Sequence, residues 1–258
     1  MSKTYVMGDV HGAYRALVQV LERSNFNKEE DTLIFLGDVC DGWNEVYECV
    51  EELLTIKNLI SILGNHDKVF LDWVNSGTHG WDWLQGAKAT ADSYIRYAER
   101  ECVIYAGKGG YLTNLTMLDM PLKHIQFYQN MLFKYTDHRN RCFVHGGFNR
   151  HYLIDEQTID VLCWDRDLWM AALSAKSANK ESIVNNFKIK DNFKEIFIGH
   201  TPTIMWDTTD PMQAMNIHNL DTGAGYKGKL TIMDVDTKEY FQSDQVDLLY
   251  PEQKGRNK

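Results

Sequence analysis

Leu59-Ile60-Ser61-Ile62-Leu63-Gly64-Asn65-His66-Asp67 is the stretch whose reading decides the fold. The apolar run through Leu63 reads as a buried strand, and Gly64 after it lets the backbone turn sharply. The loop that follows offers an amide oxygen, an imidazole and a carboxylate at the carboxyl end of that strand, where α/β folds carry their chemistry. Four other glycine-marked loops share its character: Gly8-Asp9-Val10-His11-Gly12, Gly37-Asp38-Val39-Cys40-Asp41-Gly42, His145-Gly146-Gly147 and Gly199-His200-Thr201.

Working outward, Thr4-Tyr5-Val6-Met7 and Leu33-Ile34-Phe35-Leu36 read as two further strands. Tyr14, Leu17, Val18 and Leu21 fall on one face of a helix between them, as do Val46, Tyr47, Val50, Leu53 and Leu54 within 44–57. Strand, helix, strand, helix, strand with a polar loop after each strand is an α/β pattern of the doubly wound kind. Residues 68–140 show no comparable alternation and read as a helical cap beside the core, with Trp73, Trp81 and Trp83 packing the cap or offering a stacking platform. Cys142-Phe143-Val144 and Ile196-Phe197-Ile198 are short strands that deliver His145 and His200. The polar stretch 171–191 is expected to be a mobile loop, and 229–235 with 238–241 a hairpin. Residues 1–250 thus read as one domain, followed by a polar tail at 251–258 that is expected to fray.

The 258 residues suffice for a sizeable core. A formal net charge of −9 argues against a nonspecific nucleic-acid or anionic-membrane binder, either of which needs a basic face. No signal peptide fits the start, and no stretch approaches the ~18 apolar residues of a membrane span. The five cysteines, at 40, 49, 102, 142 and 163, contain no Cys-x-x-Cys and read as reduced, mostly buried thiols of a cytoplasmic protein.

Asp9, His11, Asp38, Asn65, His145 and His200 are all ligands for divalent metals, and each follows a strand. Two carboxylates, three imidazoles and one amide oxygen suit a pair of manganese, iron or zinc ions better than one calcium or magnesium, because imidazole favours transition metals. Asp38 is the candidate bridge. Two ions about 3.5–4 Å apart can clamp a phosphoryl group and share a water, whose lowered pKa makes it a hydroxide nucleophile near neutrality. His66, beside the ligand Asn65, is the candidate general acid for the leaving oxygen, and Asp41 its orienting partner. Taken singly, His79, His124, His138, His151 and His218 read as exposed or core-satisfied imidazoles.

This set and its order resemble the bacterial branch of the phosphoprotein phosphatases within the calcineurin-like metallophosphoesterases. The family's GDxHG, GDxxDRG, GNHE, HGG or HAG, and GHT appear as Asp9/His11, Asp38/Asp41, Asn65/His66, His145 and His200. Trp83-Leu84-Gln85-Gly86-Ala87, Ser93-Tyr94, Met120-Pro121-Leu122, Trp164-Asp165-Arg166-Asp167 and Asp221-Thr222-Gly223-Ala224 extend the likeness over nearly the whole chain. The resemblance implies a β-sandwich flanked by helices and a phosphatase with two divalent metal ions, manganese first, with iron, zinc or nickel as alternatives. It also implies that Arg166 and Asn65 contact the substrate phosphate.

Two departures stand out. Asp41-Gly42-Trp43 replaces Asp-Arg-Gly, removing a bidentate phosphate contact, and Asp67 replaces glutamate. Arg15, Lys68 and Arg150 are cations that could substitute for the missing one. The family-typical substrate is phosphoserine or phosphothreonine in proteins. A nucleotide phosphohydrolase, acting on dinucleoside polyphosphates or cyclic nucleotides, is the alternative: the Asp221 and Gly228-Lys229-Leu230 segments also resemble the symmetrical diadenosine tetraphosphate hydrolases, and the lost arginine and Trp43 suit a stacked base. A non-catalytic binder of a phosphorylated ligand is the third reading.

Overall fold

In the computed structural model, residues 2–77, 86–107, 110–178 and 187–256 are described. Trp81, Trp83 and His79 lie outside them. The amino-terminal half builds β1 (Thr4–Met7), α1 (Tyr14–Arg23), β2 (Thr32–Phe35), α2 (Val46–Leu54) and β3 (Asn58–Ser61). Strands β1, β2 and β3 are parallel and in register, with Tyr5 opposite Leu33 and Leu33 opposite Leu59. The hairpin expected near the end forms as β11 (Thr231–Asp234) and β12 (Tyr240–Gln242), and β11 pairs antiparallel with β1, giving the order β12-β11-β1-β2-β3.

A second sheet follows the order β6-β7-β8-β10-β9, from Tyr135–Thr136, Arg141–Phe143, Glu195–Ile198, Ile217–Asn219 and Met212–Ala214 respectively. Period-two alternation decides how the layers stack. Tyr5, Met7, Leu33 and Phe35 face α1 and α2 through Leu17, Val20, Val50 and Leu53. Their neighbours Val6 and Ile34 turn the other way and meet Phe143, Phe197 and Leu220 of the second sheet. Cys142, Ile196 and Ile198 look outward to α6 (Ile159–Trp164) and α7 (Asp167–Ser177), where Leu162, Leu168, Trp169 and Ala172 cover them. The result is the sandwich flanked by helices that the resemblance implies.

Three local expectations change. Asn65-His66-Asp67 is the first turn of α3 (Asn65–Ser76), not a loop. The stretch from 171 is helical through Ser177, because Leu168, Trp169, Ala172 and Ala175 bury a helical face against the second sheet. Residues 68–140 hold α3, α4 (Ala87–Ile95) and α5 (Leu122–Gln129), but also an antiparallel hairpin of β4 (Ile104–Gly107) and β5 (Gly110–Thr113) and the edge strand β6. Tyr105 and Leu112 of that hairpin are exposed, so no buried face imposes the alternation that would reveal a strand.

The cap helices are tied to the core by aromatic contacts. Phe70 of α3 meets Tyr94 of α4 at 5.7 Å and Tyr128 of α5 at 4.8 Å, and Tyr47 of α2 stacks on Tyr97 at 3.8 Å. Trp73 is buried against Phe70 and packs the cap instead of facing a ligand. All five cysteines are free and buried. His124 and His218 are satisfied by Glu51 and Glu195, while His138 and His151 are exposed. Among the described residues no helix is long and apolar enough to cross a membrane.

The inner face of the second sheet carries an aromatic ladder, with Phe197 stacked between Phe143 at 4.9 Å and His218 at 4.8 Å. Phe197→Ala removes its middle rung where nothing nearby can fill the space. We expect urea unfolding to report a loss of about 3–5 kcal/mol; a loss below about 1 kcal/mol, the scale of a minor surface change, would mean that the sheets do not depend on this contact.

Candidate metal centre

The carboxyl ends of β1, β2 and β3 lie at one edge of the first sheet, and those of β7 and β8 at one edge of the second. Hydrogen bonds suture the loops that leave them. His11 N–H donates to the Asp38 carbonyl at 2.9 Å, Gly199 N–H to the His145 carbonyl at 2.8 Å, and His200 N–H to Asp9 Oδ2 at 3.0 Å across the sandwich. Asp67 organises the second loop from α3: its carboxylate accepts from the N–H groups of Asp38 at 2.6 Å, Val39 at 2.8 Å and Cys40 at 3.2 Å. The shorter side chain at this position therefore still anchors the loop. Close approach explains two of the glycines, since a Cβ at Gly64 would lie 2.1 Å from Asp38 Oδ1 and one at Gly199 2.1 Å from Asp9 Oδ1. His11, Asp38, Asp41 and His200 all adopt positive φ, between 47° and 65°, so backbone strain is concentrated at this point of the fold.

All six expected ligands converge. His145 Nε2 is 3.4 Å and His11 Nε2 3.7 Å from Asp38 Oδ2, and Asn65 Oδ1 lies 2.9 Å from His145 Nε2 and 2.8 Å from His200 Nδ1. Two sets of donors result, Asp9 with His11 and Asp38, and Asp38 with His145 and His200. Asp38 belongs to both.

The donor chemistry fits divalent cations. His11 Nδ1 and His145 Nδ1 each lie 2.8 Å from a backbone carbonyl, of Cys40 and Leu36, so both carry a proton on Nδ1 and turn Nε2, the nitrogen a metal would take, to the cluster. Asn65 turns its carbonyl oxygen, an acceptor, to two imidazole nitrogens. Asp9 Oδ1 is buried with no hydrogen-bond partner. So many buried acceptors favour positive charge among them, and an orphaned buried carboxylate oxygen costs stability without it.

The electrostatics of the cluster express the same demand. Burial opposes charge on His145, but the Asp38 carboxylate beside it prevails and raises its pKa to about 10. Burial likewise works against the charge of Asp38, and the imidazoles around it, His145 first, hold its pKa well below the usual range. Burial, then the neighbouring His145 and Arg166, push His200 down to about 2.

Beside the cluster, His66 Nδ1 lies 2.8 Å from Asp41 Oδ2, and its ring meets that of His11 edge to face at 5.1 Å. Thr90 of α4 holds the other oxygen: its hydroxyl donates to Asp41 Oδ1 at 2.7 Å and accepts from Asp41 N–H at 2.9 Å. His66 N–H in turn donates to Asp38 Oδ1 at 2.9 Å, which ties the pair to the bridging carboxylate.

Around the rim the structure corrects several expectations. Arg166 is exposed at the start of α7, near enough for its charge to act on His200. Arg15 pairs with Glu45 and the Leu249 carbonyl, Lys68 with Asp72 and Asp160, and Arg150 bonds the Lys188 carbonyl, so these contacts lead all three away from the cluster. Trp43 is fully buried, with its N–H on the Ala224 carbonyl at 2.7 Å and its ring stacked on Tyr250 at 5.0 Å, and has no face to offer a base. Trp164 does: it is 42% exposed and meets His200 edge to face at 5.9 Å. Sequence reasoning gave no role to Thr90, to the buried Asp221, which with burial raises the pKa of Asp9, or to Arg256, whose Nη1 is 3.0 Å from His11 Nε2. Nothing in the sequence marks Arg256, which is separated from His11 by 245 positions.

Comparison with known proteins agrees with this geometry. A symmetrical bis(5'-nucleosyl)-tetraphosphatase from Aggregatibacter actinomycetemcomitans is 24% identical over 272 aligned residues, covering 94% of this chain and 97% of that protein. A solved structure provisionally described as a diadenosine tetraphosphatase superposes with a TM-score of 0.62 at 14% identity, over 93% of this chain and 92% of that one. A cold-active protein-tyrosine phosphatase from a psychrophilic Shewanella shares the fold with a TM-score of 0.57 at 14% identity, over 95% and 81%. The pattern of the calcineurin-like phosphoesterases matches residues 2–211, and with the sandwich and the clustered ligands this establishes that the chain belongs to the calcineurin-like phosphoesterase family.

Proposed function

We propose that the chain is a metal-dependent phosphohydrolase of nucleotides, with dinucleoside polyphosphates as the leading substrate class. The reaction type rests on Asp38, one carboxylate common to two sets of metal-type donors. The substrate class rests on likeness along almost the entire chain to a symmetrical bis(5'-nucleosyl)-tetraphosphatase. Phosphoserine or phosphothreonine, the substrate that the family resemblance implies, ranks second on that ground. The exposed indole of Trp164 beside His200 adds a surface on which a base can stack.

Asp9, His11 and Asp38 would hold one cation, and Asp38, Asn65, His145 and His200 a second, with manganese the first choice. Such ions supply Lewis acidity at a phosphoryl oxygen and lower the pKa of water. The chain's own groups do the rest. His66 gives its proton to the leaving oxygen, while Asp41, 2.8 Å from Nδ1, keeps the imidazole oriented. Thr90 fixes Asp41 in turn. Arg166 at the rim and Asn65 in the cluster contact the phosphate.

With manganese present, diadenosine tetraphosphate should be cleaved with higher kcat/KM than a panel of phosphoserine and phosphothreonine peptides; turnover confined to the peptides would reverse the order of the two substrate classes. His66→Asn should lower kcat by about two to four orders of magnitude with metal content unchanged, and least for substrates whose leaving group needs no proton. An equal loss across leaving groups of widely different pKa would remove His66 from the proton-donating role. For Asp38→Asn, elemental analysis should find metal affinity down by at least the about 10–100-fold that outer-shell changes cause. Full occupancy in that variant would exclude Asp38 as a shared ligand.

A further inference from the structure

Residues 250–256, after the final short helix, Val246–Leu249, are strapped beside the candidate metal centre, where a frayed tail is expected from sequence. Tyr250 stacks on Trp43 at 5.0 Å. Gln253 and Asn44 exchange two hydrogen bonds, Asn44 N–H to Gln253 Oε1 at 3.1 Å and Gln253 Nε2 to Asn44 Oδ1 at 2.8 Å. Gly255 lies so close to Trp43 that a Cβ there would be 2.6 Å from Cζ2 of the indole. Arg256 N–H then donates to the Gly225 carbonyl at 2.9 Å, and its guanidinium lies over the Tyr226 ring at 5.1 Å and reaches His11 Nε2 at 3.0 Å.

The strap is anchored by the very residues that depart from the family's Asp-Arg-Gly. Trp43 and Asn44 hold it, and Gly42 ahead of them has φ +151° with its would-be Cβ 2.8 Å from the His11 carbonyl oxygen, so position 42 excludes a side chain. We propose that Arg256 is a second phosphate-binding arginine of this site beside Arg166, carried in by the 250–256 strap to serve where Gly42 provides none. The inference deepens the phosphohydrolase reading and rests on it for the identity of the anion.

The contact with His11 supports the assignment. His11 Nδ1 faces the Cys40 carbonyl, so Nε2 is a lone pair, and Arg256 donates to it. That lone pair cannot serve the guanidinium and a metal ion together. With metal on His11, Nη1 is released from Nε2, and beside Asp221, on which the Arg256 charge already acts, the oxyanion of a phosphoryl group is an acceptor that the chemistry brings to the mouth of the cluster. Arg256 is thus a competitor of metal ions for His11 and a partner of the anion they attract.

Inorganic phosphate binding to the manganese-loaded protein, measured by titration calorimetry beside metal stoichiometry, tests this without turnover. Arg256→Ala should weaken phosphate binding about 10–100-fold, the worth of one charge-assisted contact, with manganese bound as well as or better than in the wild type. Arg256→Lys should recover part of the loss, keeping the charge without the planar fork. Phosphate affinity unchanged within about twofold in Arg256→Ala would overturn the assignment. Arg256-dependent phosphate binding by a wild type that cleaves no nucleotide would instead count against the substrate reading and leave the strap's role intact.

Discussion

Everything in this molecule turns on one carboxylate held where carboxylates do not settle unaided. Asp38 is buried, with Oδ1 taking the His66 N–H and Oδ2 facing two imidazoles. Bringing Asp9, Asp38, Asn65 and three histidines out of water costs several kcal/mol per charged group unless opposite charge accompanies them. The fold meets that cost by rigid means. Asp67 fixes the Asp38 loop through three backbone donors, Cys40 and Leu36 carbonyls orient two imidazoles, and four ligand-loop residues accept left-handed backbone conformations. A site built this way is preorganised for cations and stays electrostatically incomplete until they arrive.

The sandwich explains why such a site can exist at all. Loops from one sheet alone would present Asp9, Asp38 and Asn65, with a single imidazole from His11. Packing Val6 and Ile34 against Phe143 and Phe197 brings His145 and His200 from the second sheet into the same few ångströms. The cap contributes as well, because Thr90 of α4 reaches the carboxylate that orients His66. Core packing and the geometry of the candidate metal centre are therefore mechanically coupled, and loosening the inter-sheet core should loosen the cluster with it.

Much of this was legible in the residues. Strands that end in glycine-marked polar loops announce themselves through composition and period, and Asp9, His11, Asp38, Asn65, His145 and His200 were identifiable because the strands deliver them to one edge. Other features had no local signature. The 104–113 hairpin exposes Tyr105 and Leu112, so burial imposed no alternation on its sequence. The stretch from 171 is polar enough to suggest a loop, and its packing on the second sheet makes 171–177 helical. Trp43 reads as a ligand platform and is instead the buried keystone of the strap. Arg256 lies in a short polar tail with no motif, and its meaning exists only in three dimensions.

The central claim is that Asp38 lies between two metal ions. Anomalous diffraction from crystals grown with manganese measures it directly. Two peaks about 3.5–4 Å apart, one beside Asp9 and His11 and the other beside Asn65, His145 and His200, with Asp38 touching both, are the predicted result. A single peak, or density that leaves Asp38 uncoordinated, would contradict it.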